Sequence, residues 1–439
     1  MPSFYEFFAG GGMAMAGLRK SGNWECLFAN DIDKKKADSY RANWLKDVEW
    51  DVLEPDKLNV AEADGPAGND QAGGWRAGHL RVCDVAKVTT KDLNGHADLV
   101  WASFPCQDLS LAGNGAGLSG DRSGTFLPFW KLVKTLRDEK RPPKLVVLEN
   151  VVGALTAGEG QDFVTLGDML ATTGYRFGAV VINAVHWVPQ SRPRLFIIAA
   201  HEDVPISEEL VSDSWSAPWH TPTLVTAYER LVKGSKATRK HDSWVWWHLP
   251  NPPSRRQNYK TLADVIEDGD PEGVSWNPDH VTDRLVEVLM NPVNQEKVRK
   301  AKKLSVEKNV RIVGTVYKRM RPEGDVIGYD DKGKPIRKKV QRAEVRFDDI
   351  AGCLRTPTGG SSRQTILVVD GDDVRSRLLS PREAARLMGL DDDYELPKKY
   401  NEAYHLAGDG VVVDVVHFIA KNILEPLLRN ESEADKLSA

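Results

Sequence analysis

The run Phe4-Tyr5-Glu6-Phe7-Phe8-Ala9-Gly10-Gly11-Gly12-Met13 decides the fold: an apolar strand pattern breaks at three glycines, and Ala14 to Lys20 continues at helical spacing. Glycines at a strand-to-helix turn let the backbone approach a bound ligand closely. A second apolar run ends at Asn30-Asp31-Ile32-Asp33, about 20 residues past the turn, the position from which nucleoside-binding folds hold ribose hydroxyls. A third run is followed by Asp84. A plain tight turn is the competing reading of the glycines; acids after two successive strands favour a nucleoside. The dinucleotide spacing is incomplete, which points to a cofactor without a pyrophosphate.

Working outward, Phe4 to Ala9, Cys26 to Ala29, His79 to Cys83, Ala97 to Ser103, Lys144 to Leu148, Phe177 to Asn183 and Arg194 to Ala200 read as strands. Asp121 to Glu139 and Phe163 to Thr172 read as helices. Such alternation predicts an α/β fold with a mostly parallel sheet covered on both faces. Residues 51 to 78, rich in Gly, Ala and Asp, read as an irregular excursion. Between 205 and 375 the composition turns to Trp, Pro and basic residues with weak periodicity, and a second, smaller and irregular domain is expected there. Ser380-Pro381 opens a helix with a cap and a first-turn proline, and Asp414 to Leu428 reads as a last amphipathic helix. The expected division is therefore 1–204, 205–375 and a returning segment 376–439.

The 439 residues, 41% hydrophobic and 28% charged, describe a folded protein and exclude disorder throughout. No apolar run reaches membrane-spanning length, and the start has no secretory pattern. Four cysteines without a CxxC pair argue against disulfides or structural zinc, so no metal is expected and a reducing compartment fits. The formal net charge of -4 hides an asymmetry, because residues 296 to 346 carry 17 Lys/Arg against 7 Asp/Glu. That segment is either an electrostatic footprint for nucleic acid or a solvated, poorly ordered loop.

Chemistry gathers at the other strand ends. The strand Ala97 to Ser103 delivers Phe104-Pro105-Cys106-Gln107, the strand Lys144 to Leu148 ends in Glu149-Asn150-Val151, and Gln190-Ser191-Arg192-Pro193-Arg194 leads into another. Taken singly, Cys106 is a small buried hydrophobe, Glu149 a helix cap and the arginines surface charge. Together on three strands of one sheet they supply a nucleophile, a proton donor and an anion-stabilising group.

These motifs, with Phe8 to Gly12, Asn30-Asp31, Asp84 and Arg377-x-x-Ser380-Pro381-Arg382-Glu383-Ala384-Ala385, stand in the order found in DNA cytosine-5 methyltransferases, which the chain resembles over its first 200 and last 60 residues. The resemblance implies a Rossmann-like S-adenosylmethionine-dependent catalytic domain with a variable target-recognition domain between. It implies that Cys106 attacks carbon 6 of a flipped-out cytosine, Glu149 protonates ring nitrogen 3, and Arg194, helped by Arg192, binds O2. It implies cofactor contacts from Phe8, Gly10, Gly11, Asp31, Ile32, Asp84 and Pro105, and a mobile loop over Gly113 to Phe126. Duplex DNA is the implied partner, with no membrane; the enzyme is expected to be a cytoplasmic monomer of prokaryotic or phage type, and a companion restriction endonuclease is left open. One departure stands out: a Gly-Asn-Ala/Ser-Val segment is replaced by Gly408-Asp409-Gly410-Val411, so that Asp409 either binds the cofactor's ammonium or weakens its carboxylate contact. Met13 in place of a usual glycine is a smaller one.

Three rivals remain. Asn251-Pro252-Pro253-Ser254 resembles the motif of amino-methyltransferases but lacks the aromatic fourth residue. A transfer-RNA methylase and a DNA-binding module without catalysis are the others. The recognised DNA sequence is not readable, since recognition falls in the least patterned part of the chain.

Overall fold

The computed structural model describes residues 1–22, 24–46, 51–53, 79–105, 125–234, 243–254, 260–356 and 363–429. Cys106, Gln107, most of the 113–126 loop and most of the 51–78 excursion lie outside them. Two compact units are present: one of residues 1–183, 193–252 and 410–439, the other of 184–192 and 253–409.

The first unit is built on an eight-stranded sheet of β1 (Ser3–Phe7), β2 (Glu25–Asp31), β3 (Asp51–Leu53), β4 (His79–Val82), β5 (Leu99–Ala102), β6 (Leu145–Val151), β7 (Tyr175–Asn183) and β8 (Pro193–His201), in the order β3-β4-β2-β1-β5-β6-β8-β7. The ladders from β3 to β6 are parallel, whereas β8 runs antiparallel to both β6 and β7. Strands such as Leu145 to Leu148 are buried on both faces, which is why they read as continuous apolar runs. Helices of this unit include α1 (Met13–Ser21), α2 (Lys34–Trp44), α3 (Phe126–Asp138), α4 (Gln161–Thr172) and α5 (Pro222–Gly234). The faces of α3 and α4 carrying Phe129, Trp130, Val133, Phe163 and Leu166 pack into one core with Val100, Val146 and Ile197. The last helix, Val413–Ile419, packs on α1, where Gly17 leaves no room for a side chain: a Cβ there would stand 2.4 Å from Val416.

The units divide the chain differently from the expected boundaries in three places, the first being residues 184–192, which go with the second unit. The Trp-rich stretch after 205 stays with the first unit, because β9 (Val211–Ser212) and β10 (Trp246–Trp247) lie against its sheet. Trp247 donates to the Ile198 carbonyl at 3.0 Å, and Gly178 on β7 admits the Val245 carbonyl, which a Cβ would meet at 1.9 Å. Residues 376–409 go with the second unit, since the strand Asp373–Leu378 pairs there.

That second unit is more regular than its composition suggests. A four-stranded antiparallel sheet, in the order β14-β11-β15-β16, comprises β11 (Ile312–Arg321), β14 (Val340–Arg346), β15 (Thr365–Asp370) and β16 (Asp373–Leu378). Helix α6 (Pro292–Lys308) lays Val298 on a small core with Val316, Val345 and Leu367. Between β11 and β14 the chain runs out and back as β12 (Val326–Tyr329) and β13 (Pro335–Arg337). The basic segment is thus helix and ribbon, not an unordered loop. Helix α7 (Pro381–Arg386) starts as expected from Ser380, whose hydroxyl accepts from the Glu383 amide at 3.1 Å while Glu383 accepts from the Ser380 amide at 2.7 Å. Glu383 also grips Arg377 at 2.6 and 2.8 Å, both side chains fully buried, so the Arg377 to Ala385 motif is a structural clasp. Helix α8 (Tyr400–Asp409) follows. Among the described residues no helix is long and apolar enough to cross a membrane.

Candidate active site

The carboxyl edge of the first unit's sheet carries part of the expected set: the Phe8 to Gly11 turn, Asp31, Ile32, Asp84, Pro105, Glu149 and Arg194, whereas Arg192 and Asp409 belong to the second unit and Cys106 lies outside the described residues. Beyond β1 the chain turns through Phe8 (φ 56°), Gly10 (φ 57°) and Gly12 (φ 78°) into α1. Gly12 is required by space as well, because a Cβ would stand 2.2 Å from Trp44 Nε1. Gly10 differs: no atom lies within 4 Å of where its Cβ would point, so the backbone is open on that side. Trp44 also donates to the Gly11 carbonyl at 2.9 Å, fixing the turn from beneath.

Asp31, at the end of β2, accepts from the Gly10 amide at 2.8 Å and from the Asp33 amide at 2.8 Å. Each carboxylate oxygen keeps a further lone pair for a ligand hydroxyl. Burial raises its pKa, and the nearby Lys36 and these two amides oppose the rise. Ile32 beside it is 70% exposed, an uncovered apolar surface next to a carboxylate and an open glycine. Asp84 caps the turn Val85–Lys87 through the Ala86 amide at 2.9 Å. The Phe8 ring rests edge-on to Phe129 at 6.2 Å. Carboxylate, open glycine and apolar side chain at one sheet edge fit a nucleoside-bearing group.

At the neighbouring strands, Glu149 and Arg194 meet. In the antiparallel pairing of β6 and β8, Val151 faces Arg194 and Glu149 faces Phe196. The diagonal brings Arg194 Nε within 3.2 Å of Glu149 Oε1, with the side chains 14% and 7% exposed. A nearly buried pair of this kind holds both groups in fixed orientation. Pro105 is exposed where the described segment ends, one residue before Cys106, and Phe104 is held by Asn150, whose amide donates to its carbonyl at 3.1 Å.

Arg192 has different work. It belongs to the second unit, is 1% exposed, and donates to the Leu354 carbonyl at 3.0 Å and the Gly408 carbonyl at 2.7 Å. Gln190, fully buried, likewise binds the Leu387 carbonyl at 2.7 Å and the Leu354 amide at 3.0 Å. Of the Gln190-x-Arg192-x-Arg194 motif, two members therefore anchor the second unit and Arg194 alone meets Glu149. Asp409, also in the second unit, pairs with His405 at 3.3 Å along α8.

Sequence reasoning assigned no task to Glu6 or Asn150. Glu6 is buried under the glycine turn, accepting from Tyr40 at 3.2 Å and the Met15 amide at 3.4 Å. Burial pushes its carboxyl up to about 8, against the opposing pull of those two donors. A lone acid in an otherwise apolar strand was the available signal.

With this geometry in hand, likeness to known proteins can be stated. The family profile described as C-5 cytosine-specific DNA methylase matches residues 3–66 and 76–425. The type II methyltransferase M.HhaI of Haemophilus parahaemolyticus is 24% identical over 96% of this chain and 93% of its own length. The orphan methyltransferase M.SPBetaI of Bacillus phage SPbeta is 24% identical over 98% of each. Among solved structures, the S. pombe Dnmt2 methyltransferase shares the fold with a TM-score of 0.51 at 16% identity, covering 97% of this chain and 99% of that one.

Proposed function

The chain belongs to the C-5 cytosine-specific DNA methylase family and is a DNA cytosine-5-methyltransferase, and from that premise we propose that it uses S-adenosylmethionine, a flipped-out cytosine and a covalent adduct on Cys106. The observation that carries the reading is the nearly buried Glu149–Arg194 pair, 3.2 Å apart, on the strands that follow the Phe104-Pro105 segment. A cytosine inside a duplex is stacked, so the base must leave the helix before any side chain reaches its ring. Once it is out, Glu149 holds ring nitrogen 3 and gives it a proton. Arg194 binds O2 and neutralises charge built up there. The Cys106 thiolate then forms a bond to carbon 6, and the displaced ring electrons enrich carbon 5. S-adenosylmethionine, when bound, supplies a sulfonium methyl that carbon 5 can take. Loss of the carbon 5 proton restores the double bond and expels Cys106.

The cofactor's holding residues follow from the sheet edge. Asp31 takes the ribose hydroxyls on its free lone pairs, Gly10 and Gly11 leave room along the turn, and Phe8, Ile32, Asp84 and Pro105 surround the adenine. Arg192 and Asp409 act at one remove: Arg192 positions the backbone at Gly408, just before Asp409.

The test uses duplexes carrying 5-fluorocytosine at the methylated position. Fluorine cannot leave as a proton does, so the intact chain with S-adenosylmethionine should be trapped as a covalent complex resolved on a denaturing gel. Cys106→Ala should give none. An adduct that persists in this variant would overturn the assignment.

A further inference from the structure

The second unit carries a structure that packing leaves uncovered. β15 pairs with β11 only from Ile312 to Val316, whereas β14 pairs with it from Thr315 to Arg321. Past Lys318, which faces Ala343 where Met290 still bridges the outer edge of β14, the chain is therefore a ribbon two strands wide. It is continued by the amide–carbonyl bonds Gly324 to Lys338 (2.9 Å) and Lys338 to Asp325 (2.8 Å), and then by β12 and β13. The tip is closed by Asp330, which accepts from the Lys332 and Lys334 amides at 2.9 and 2.8 Å. An isolated two-stranded ribbon is marginally stable in water, so one that also exposes apolar side chains calls for a partner.

The side chains say which. Tyr329 is 69% and Val326 42% exposed. The register sets Val326 opposite Arg337 and Tyr329 opposite Pro335, with an irregularity between Val326 and Gly328, which places these four on one face. Ile336, opposite Gly328, stands on the other. Along the ribbon Lys332, Lys334, Arg337, Lys338 and Lys339 form no ion pair among the described residues, whereas Arg321 and Arg342 nearer its root are bound to Glu344 and Glu323. These five cations outnumber the ribbon's three acids, Asp325, Asp330 and Asp331, and an excess of unpaired cations flanking an apolar face is complementary to a polyanion that offers apolar groups between its charges. Duplex DNA is such a polyanion. Its major groove, about 12 Å wide, admits a two-stranded ribbon, and the C5-methyl of thymine is the apolar group on its floor.

We propose that the 324–338 ribbon enters the major groove of the substrate duplex and reads thymine methyls through the Val326–Tyr329 face, while its lysines and Arg337 hold the flanking phosphates. The inference rests on the chain's reading as a duplex DNA methylase, and adds which side chains choose the sequence and what they choose. The recognised sequence therefore contains at least one A·T pair.

The experiment first maps the methylated sequence by bisulfite sequencing of a random duplex pool treated with the intact chain. If no cytosine is methylated, the functional reading fails and this inference with it. With a sequence in hand, each thymine in it is replaced by dU. At least one replacement should lower kcat/KM by about 4-fold, the value of one buried methyl group. Val326→Thr with Tyr329→Thr, which keeps strand propensity, should relax the mapped sequence at that position and lose nothing further on the dU duplex. Ile336→Thr, on the opposite face, should keep the wild-type profile. Methylation that continues with no dU effect, with no thymine in the site, or with an unchanged profile in the double variant overturns the proposal. So does a dimer of the intact chain that the double variant dissolves while its sequence choice stays the same, because the face would then serve self-association.

Discussion

The two units use charge in opposite ways. At the first unit's sheet edge, charged groups are few and nearly all engaged: Asp31 by two amides, Glu149 by Arg194, Glu6 by Tyr40 and the Met15 amide. On the ribbon of the second they are many, solvated and outside any ion pair among the described residues. Fixed, desolvated charge gives orientation, whereas mobile, solvated charge gives attraction without demanding one geometry. Chemistry and capture are thereby assigned to groups of different physical character, and perturbing each should leave the other intact.

The sharpest break is at Glu149. Glu149→Gln keeps the shape but removes the easily shared proton, so single-turnover methylation should slow by roughly 100- to 10,000-fold. Duplex affinity, measured by fluorescence anisotropy, should hold within a few-fold. A parallel loss of affinity would erase the contrast.

The converse change is Arg337, Lys338 and Lys339 together to Gln. Binding of target and non-target duplexes should weaken alike, by about 10- to 100-fold near 0.1 M salt, and the slope of log affinity against log salt should flatten by about 2 to 3. The single-turnover rate at saturating DNA should stay at the wild-type value. Wild-type affinity and slope would return the basic segment to a merely solvated surface.

The smallest effect belongs to Glu6. Its folded pKa, about 8, lies above its value in the unfolded chain, so between about 4.5 and 8 the folded state holds a proton that the unfolded state has released. Its contribution to stability is full at low pH, shrinks as pH rises through that window and is level above it. Glu6→Gln cannot ionise, and the fall in Tm from pH 5 to pH 8 should be shallower than in the wild type. Equal slopes would show that some other group titrates there.

Legibility in the sequence followed burial. Strands such as Leu145 to Leu148 and Phe196 to Ala200 are covered on both faces and announced themselves as apolar runs, and the site residues that follow them could be placed at the sheet edge. The reversal of β8 left no trace, because an apolar run reads the same in either direction. Helix α6 was missed although Asn291 caps it and Pro292 opens it: its buried stripe is Asn294, Val298, Ala301 and Ser305, too polar to register as amphipathic. The ribbon, exposed on both faces, has no alternation to read. The anchoring role of Arg192 was invisible for another reason, since its carbonyl partners lie 162 and 216 positions away.

The antiparallel course of β8 has a consequence for how the chain tolerates insertion and deletion. Arg194 reaches Glu149 from the second position of a strand whose side chains alternate between faces. Removing or adding one residue after the pairing begins would turn the guanidinium to the opposite face of the sheet. Replacement at a neighbouring position leaves that alternation intact. Around β8, chain length should therefore be held more strictly than residue identity, whereas the Asp330 to Lys334 tip can lengthen or shorten with no effect on the reacting groups.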